Sequence, residues 1–418
     1  MKTLLVIASL LLITTSAQAK KITIACGAVG QEFELCKKNS EAWAKATGNE
    51  MNYVQTPNDA DARLGVFFQT FAAKDPSIDV VQIDIIWPGA LANHLIDLRD
   101  HIDKKHIDLH FPAIIKNNTG ANGAVYALPF WTDAGVLYYR KDLLKKYNKT
   151  VPENWDQLEE TAKLIVEKEK NPKLSGFVWQ GKSYEGLTCN ILEWLDSQDA
   201  GRIIDPKTGE ITVNNPKAIK AIERAAKWIG TISPKSVLNF SEEEARGMFQ
   251  AGNAVFMRNW PYAWKLVNAK DSSVKDKVGV AVLPKGADGG KHSATLGGWN
   301  LAVSKYSKNP KEASDLVRYL SSPEVQLERA IEGSYNPTIA SLYKDKKLIA
   351  ANPFFQQLYD VFVNAVGRPS SISGKDYPKV STAVRSRVYR VLNGSSTAEK
   401  ELKGLEEDLN KLKKNWSK

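Results

Sequence analysis

The chain has 418 residues, 43% of them apolar and 25% charged, and carries a formal charge of +10. That is long for one ordinary domain and sufficient for two, each burying its own core. The apolar and charged balance is that of a globular chain, which excludes a polytopic membrane protein and a disordered one.

Met1-Lys2, an apolar run from Leu4 to Ile13 broken only by Ser9, and the small-x-small triplet Ala17-Gln18-Ala19 have the layout of a secretory signal peptide. Cleavage after Ala19 leaves a chain starting at Lys20. It removes one charged residue, Lys2, so the charge falls by one from +10 to +9. No cysteine follows the cleavage site, so no lipid anchor is expected. The lysines are spread along the chain beside acids, which argues against nucleic-acid binding.

The exported chain opens with a strand, Lys21–Ala25, a turn at Gly27–Gly30 and a helix carrying Phe33, Trp43 and Ala44. Cys26 and Cys36 flank that turn. Export permits their oxidation, and the sequence leaves open whether they bridge; Cys189 is then a lone thiol. A second strand near Tyr53–Gln55 leads to Asn58-Asp59, which suit the start of a helix reaching about Ala73. A third strand spans Asp79–Ile85. Strands alternating with helices predict an α/β fold with mainly parallel sheets, whose ligands gather beyond the carboxyl ends of the strands. Glu32 and Asp84 fall there.

Further helices are expected from Asn154 to Lys170, from Asn215-Pro216 onward with an isoleucine stripe, and from the capping box Ser241/Glu244 to Gly252. Strands are expected at Ala254–Met257, Val278–Leu283 and Leu301–Ser304. The tail from Ser396 carries Leu402, Leu405, Leu409 and Leu412 at helical spacing, an amphipathic helix docked on the body. Arg385, Arg387 and Arg390 are expected on a solvated helix face.

The aromatic residues carry the functional signal. Trp87, Trp131, Trp260, Tyr262, Trp299 and Tyr335 each lie near glycine or proline, where backbone leaves a regular element, and Trp87 and Trp131 also lie near Asp84 and Asp133. A sugar needs this combination. Its hydroxyls bond carboxylates and guanidinium groups, while its C–H faces stack on electron-rich rings. Core packing for the aromatics and helix capping for the acids are the competing structural roles.

Several motifs together carry a resemblance: Ala25-Cys26-Gly27-Ala28-Val29-Gly30-Gln31-Glu32, Gln82-Ile83-Asp84-Ile85-Ile86-Trp87-Pro88-Gly89, Pro129-Phe130-Trp131-Thr132-Asp133, Arg258-Asn259-Trp260-Pro261-Tyr262, Leu296-Gly297-Gly298-Trp299 and Gly333-Ser334-Tyr335-Asn336-Pro337. From about residue 21 to 400 the chain resembles the extracytoplasmic solute-binding proteins of carbohydrate ABC importers, in the trehalose/maltose-binding branch. The resemblance implies a two-lobed clamp, with residues 20–130 and 286–336 forming one lobe and 131–285 and 337–418 the other. Crossings are expected near Pro129–Thr132, Pro284–Gly286 and Asn336–Thr338. It implies a periplasmic monomer that binds a small sugar, needs no cofactor or metal, and serves the permease subunits of an ABC importer. Carried over by residue, Glu32, Asp84 and Asp133 bind hydroxyls, Trp131, Trp260 and Trp299 stack, Gly298 donates from its backbone, and Arg368 is a bidentate donor. Asn58, Trp87, Tyr262 and Tyr335 are further ligand-binding candidates. The rival is a secreted glycoside hydrolase, which would use a pair of the same carboxylates. Phosphate-loop, serine-triad and dinucleotide motifs are absent from the sequence.

Overall fold

The computed structural model describes residues 19–286, 289–414 and 416. The expected signal peptide, apart from Ala19, lies outside them. Among the described residues nine strands form two sheets flanked by helices. In the first, β1 (Lys21–Cys26) pairs in parallel with β2 (Glu50–Gln55) and β3 (Val80–Asp84); with β4 (Leu128–Ala134) and β9 (Leu296–Val303) the order is β2-β1-β3-β9-β4. In the second, the order is β6-β7-β5-β8, from β4's successor β5 (Val136–Arg140), β6 (Ser175–Val178), β7 (Ala254–Asn259) and β8 (Val278–Ala281). β1 and β3 are buried almost throughout, as strands covered on both faces must be.

The α/β architecture stands, but the sheets are mixed rather than mainly parallel. β9 (Leu296–Val303) runs antiparallel between β3 and β4 (Leu128–Ala134), and β5 runs antiparallel to both β7 and β8. Each insertion follows a passage between the sheets, so no helical crossover is available to make the pairing parallel. The last strand also starts earlier than expected. Gly297-Gly298-Trp299 lie inside β9, not before it, and Trp131 to Asp133 lie inside β4. At Gly298 φ is +123°, and a Cβ there would sit 2.5 Å from the Trp131 carbonyl oxygen. Only glycine lets β9 approach the irregular register between Pro129 and Trp131.

β4 stays in the first sheet through Ala134, and β5 enters the second at Val136. The chain therefore passes between sheets at Gly135, and the expected 130/131 boundary falls inside a strand. Gly135 has its own steric reason: a Cβ would lie 2.2 Å from Glu193 Oε1 and 2.6 Å from Arg258 Nη2.

Helix starts follow the sequence closely. Asp59, Asn154 and Asn215 accept backbone N–H bonds in the first turns of helices Ala60–Ala72, Trp155–Glu169 and Pro216–Trp228. The capping box at Ser241 and Glu244 opens Glu242–Gln250. Cys26 and Cys36 are joined as a disulfide, while Cys189 is a free, buried thiol. Among the described residues no helix is long and apolar enough to cross a membrane.

The tail helix Ala398–Lys413 buries Leu402, Leu405 and Leu409 against helix Tyr377–Leu392. The three arginines of that second helix are not a solvated face. Arg387 bonds Asp408 at 2.7 Å, Arg390 bonds Glu401 at 2.6 Å, and buried Arg385 reaches Asp61 at 3.2 Å. The docked tail and the helix at Ala60 supply acids that a reading of one helix alone does not show.

Candidate functional site

The carboxyl end of β3, the turn after β1, the facing parts of β4 and β9, and the loop after β7 enclose a narrow cleft with a cavity of about 60 Å³. Glu32, Asn58, Asp84, Trp131, Asp133, Trp260, Tyr262, Gly298, Trp299, Tyr335 and Arg368 all line it. Residues more than 300 positions apart are thus brought to one opening. Trp87 is the exception among the candidates. It is 2% exposed, packs edge-on against Trp299 at 5.4 Å and against Phe67 at 6.2 Å, and does not reach the cleft. It packs against the wall residue Trp299 from the core side.

The carboxylates are deeply desolvated. Glu32 stands at the first position of helix Glu32–Thr47, bonded by Gln82 at 3.3 Å and paired with Arg63 at 3.5 Å. Gly27 makes room for it, since a Cβ would fall 1.6 Å from Glu32 Oε2. Asp133 Oδ2 accepts from Trp131 Nε1 at 2.9 Å, and its Oδ1 has no partner among the described residues. Burial pushes the carboxyls of Glu32 and Asp84 up, each against a neighbouring arginine, and pushes Asp133 well above the usual carboxylate range. Acids held this way serve as acceptors when ionised and as donors when protonated, and a polyol needs both.

Arg368 does not present an open fork. Its Nη2 donates to Asp84 at 2.9 Å and its Nη1 to Glu185 at 2.9 Å, leaving Nε without a partner. Asp84 ends β3 of the first sheet, and Glu185 opens helix Glu185–Ser197, beside the second. Glu185 also accepts from Tyr377 and, at 2.6 Å, from Ser381. Two more bonds join the same sides: Lys182 to Asp59 at 2.7 Å, and the Glu185 N–H to Asp61 at 3.1 Å.

Sequence reasoning missed several wall residues. Tyr184, Glu185 and Glu242 line the cleft, and Glu242 accepts from Trp260 Nε1 at 3.3 Å. Burial raises the Glu242 carboxyl as it does the others. A signal was present for the first two, because Tyr184-Glu185-Gly186 has the aromatic, acid and glycine grouping used to pick the rest. The buried cations Arg63, Arg258 and Arg329 gave none, since lone arginines in helices and strands look like surface residues.

A family profile described as bacterial extracellular solute-binding protein matches residues 31–327. The chain belongs to that family. A Deinococcus radiodurans relative named as a probable ABC transporter-binding protein is 52% identical to this solute-binding protein over 402 residues, covering 96% of this chain and 95% of the relative. The maltose-bound MalE3 of T. maritima superposes with a TM-score of 0.89 at 41% identity, covering 94% of this chain and 100% of that one. A Thermotoga lettingae solute-binding protein bound with α-D-tagatose gives 0.84 at 24% identity over 94% and 99%, a likeness of fold alone. The solute-binding protein is accordingly a two-lobed α/β binder of the ABC-importer type and not an enzyme, so the hydrolase alternative falls with the family assignment.

Proposed function

We propose that this solute-binding protein holds an α-linked glucose disaccharide, such as trehalose or maltose, in the cleft between its sheets. It does so in the periplasm as a monomer, after removal of residues 1–19, and presents the sugar to the permease subunits of an ABC importer. The supporting observation is the meeting of Trp131, Trp260 and Trp299 with Glu32, Asp84 and Asp133 around one opening. Three ring faces and three acids are the complement of a small polyol with apolar C–H faces. Trp260 follows β7 of the second sheet, while the other five stand on or beside strands of the first. A ligand touching both sides favours the closed arrangement, because only there are all contacts made. The passages at Gly135 and between β8 and β9 are the hinge segments in this reading. The maltose carried by the 41%-identical T. maritima protein supports the same sugar class.

A melting assay over a panel of sugars tests the proposal. A ligand at about 100 times its Kd adds roughly 2.7 kcal/mol of stability. Maltose or trehalose should therefore raise Tm clearly and glucose only weakly. A flat response to every sugar, with the protein folded, contradicts it.

A further inference from the structure

Each of the three indoles on the cleft carries a buried guanidinium against its ring. Arg63 Cζ lies 3.9 Å from the Trp299 ring centre and Arg258 Cζ lies 3.9 Å from that of Trp260. Arg329 Cζ lies 3.6 Å from the ring of Phe130, 4.8 Å from that of Trp131 and 5.0 Å from that of Tyr335. The indoles line the cleft and the three arginines do not. One side of each platform is thus occupied from the protein interior, which fixes the ring and leaves its other side for a ligand.

Two of these cations have other work. Arg63 pairs with Glu32, and Arg258 is held by Glu193 at 2.9 Å and by Gln180 at 3.1 Å. Arg329 has none. It is 1% exposed, and its Nε, Nη1 and Nη2 find no hydrogen-bond partner among the described residues. Burial brings its pKa down to about 10, against the pull of Tyr335 and Glu32. A buried cation without a protein partner is destabilising, and an apolar side chain of similar length would stabilise helix Pro323–Gly333 better. Its contacts are the rings behind the cleft.

We propose that Arg329 is a positioning residue of the binding site: stacked behind Phe130, Trp131 and Tyr335, it locks the Trp131 and Tyr335 rings in the orientation that receives the sugar, at a cost in stability. This rests on the sugar-binding reading for its ligand, but the ring order it describes exists without one. Tyr335 shows how close the packing is, with its ring 4.8 Å from Trp131 and parallel to Tyr262 at 6.5 Å.

The test is Arg329→Met, read three ways: Tm, the near-ultraviolet circular dichroism of the ligand-free protein, and the Kd for maltose. The expected result is an equal or higher Tm, a loss of aromatic dichroism, and a Kd raised at least about tenfold. A wild-type near-ultraviolet spectrum overturns the inference, as does a wild-type Kd. A fall in Tm alongside weaker binding also overturns it, because that is the behaviour of a purely structural cation. Should Arg329→Met fail to fold, Arg329→Lys keeps the charge and loses the planar stack; the same loss of dichroism and affinity is expected, and wild-type behaviour overturns the proposal. Should wild-type protein bind no sugar, the dichroism and Tm decide the positioning role alone, and the sugar reading fails separately.

Discussion

The molecule contains two clusters of tryptophans, and only one lines the cleft. Beside the second sheet, Trp155, Trp179, Trp194 and Trp228 pack with ring centres 5.1 to 6.4 Å apart, mostly edge to face. All four are 3% exposed or less. Trp155 and Trp179 spend their indole N–H on the hydroxyls of Ser197 and Ser233, and Trp228 on Glu159. Around the cleft, Trp131, Trp260 and Trp299 sit among Asp133, Glu242, Asp84 and buried arginines instead. The same side chain closes a core in one place and forms a wall in the other. What separates them is the density of charge held beside the ring, which a core would not tolerate without a use for it.

Substitutions should separate the clusters. Trp228→Ala opens a cavity among three other indoles and should cost about 3–5 kcal/mol of folding stability, measured by denaturant titration, with unchanged maltose affinity in the fraction that remains folded. Trp299→Ala should do the reverse. Removing a platform should weaken maltose binding by about 2 kcal/mol or more, roughly thirtyfold, as measured by calorimetry, with a smaller loss of stability than Trp228→Ala. Equal losses of stability and affinity in both variants would erase the distinction.

The polar partners sharpen it further. Ser233→Ala leaves the buried Trp179 N–H without its acceptor and should cost about 1–2 kcal/mol of stability with no change in affinity. Glu242→Gln, beside Trp260, should alter affinity and leave Tm close to wild type.

The smallest effect concerns pH. Burial pushes the Asp61 carboxyl from 3.8 up to about 6, against the opposing pull of Arg385. The folded protein therefore protonates Asp61 at a higher pH than the unfolded chain does. Ionising it between about pH 4 and pH 6 costs stability, so this contribution is present below that window and lost as pH rises through it. The side chain is 34% exposed, so solvent screening holds the effect to about 1 kcal/mol. Asp61→Asn should flatten the fall in Tm across that window; an unchanged slope would contradict the assignment.

The general course of the chain was legible because caps and periodicity act locally. Asp59, Asn154, Asn215 and Ser241 start their helices as expected, and the leucine stripe of the tail is buried as expected. What the sequence could not show was pairing at a distance. The insertion of β9 between β3 and β4 makes the first sheet mixed, as β5 beside β7 and β8 does the second, and Trp131 and Trp299 fall within strands while still lining the cleft. Trp87 and the proline after it looked like the edge of a site, yet that ring packs in the core against Phe67 and Trp299. Arg368 was legible as a central cation, but its bonds to Asp84 and Glu185 required two segments that meet only in three dimensions.

The central claim is that ring faces from both sides of the cleft grip a small sugar. Calorimetric titration of maltose into the wild type and into the Trp260→Ala/Trp299→Ala double variant tests it most directly. Saturable binding by the wild type and none by a folded double variant is the predicted result. No heat from the wild type, or undiminished affinity in the double variant, would contradict it.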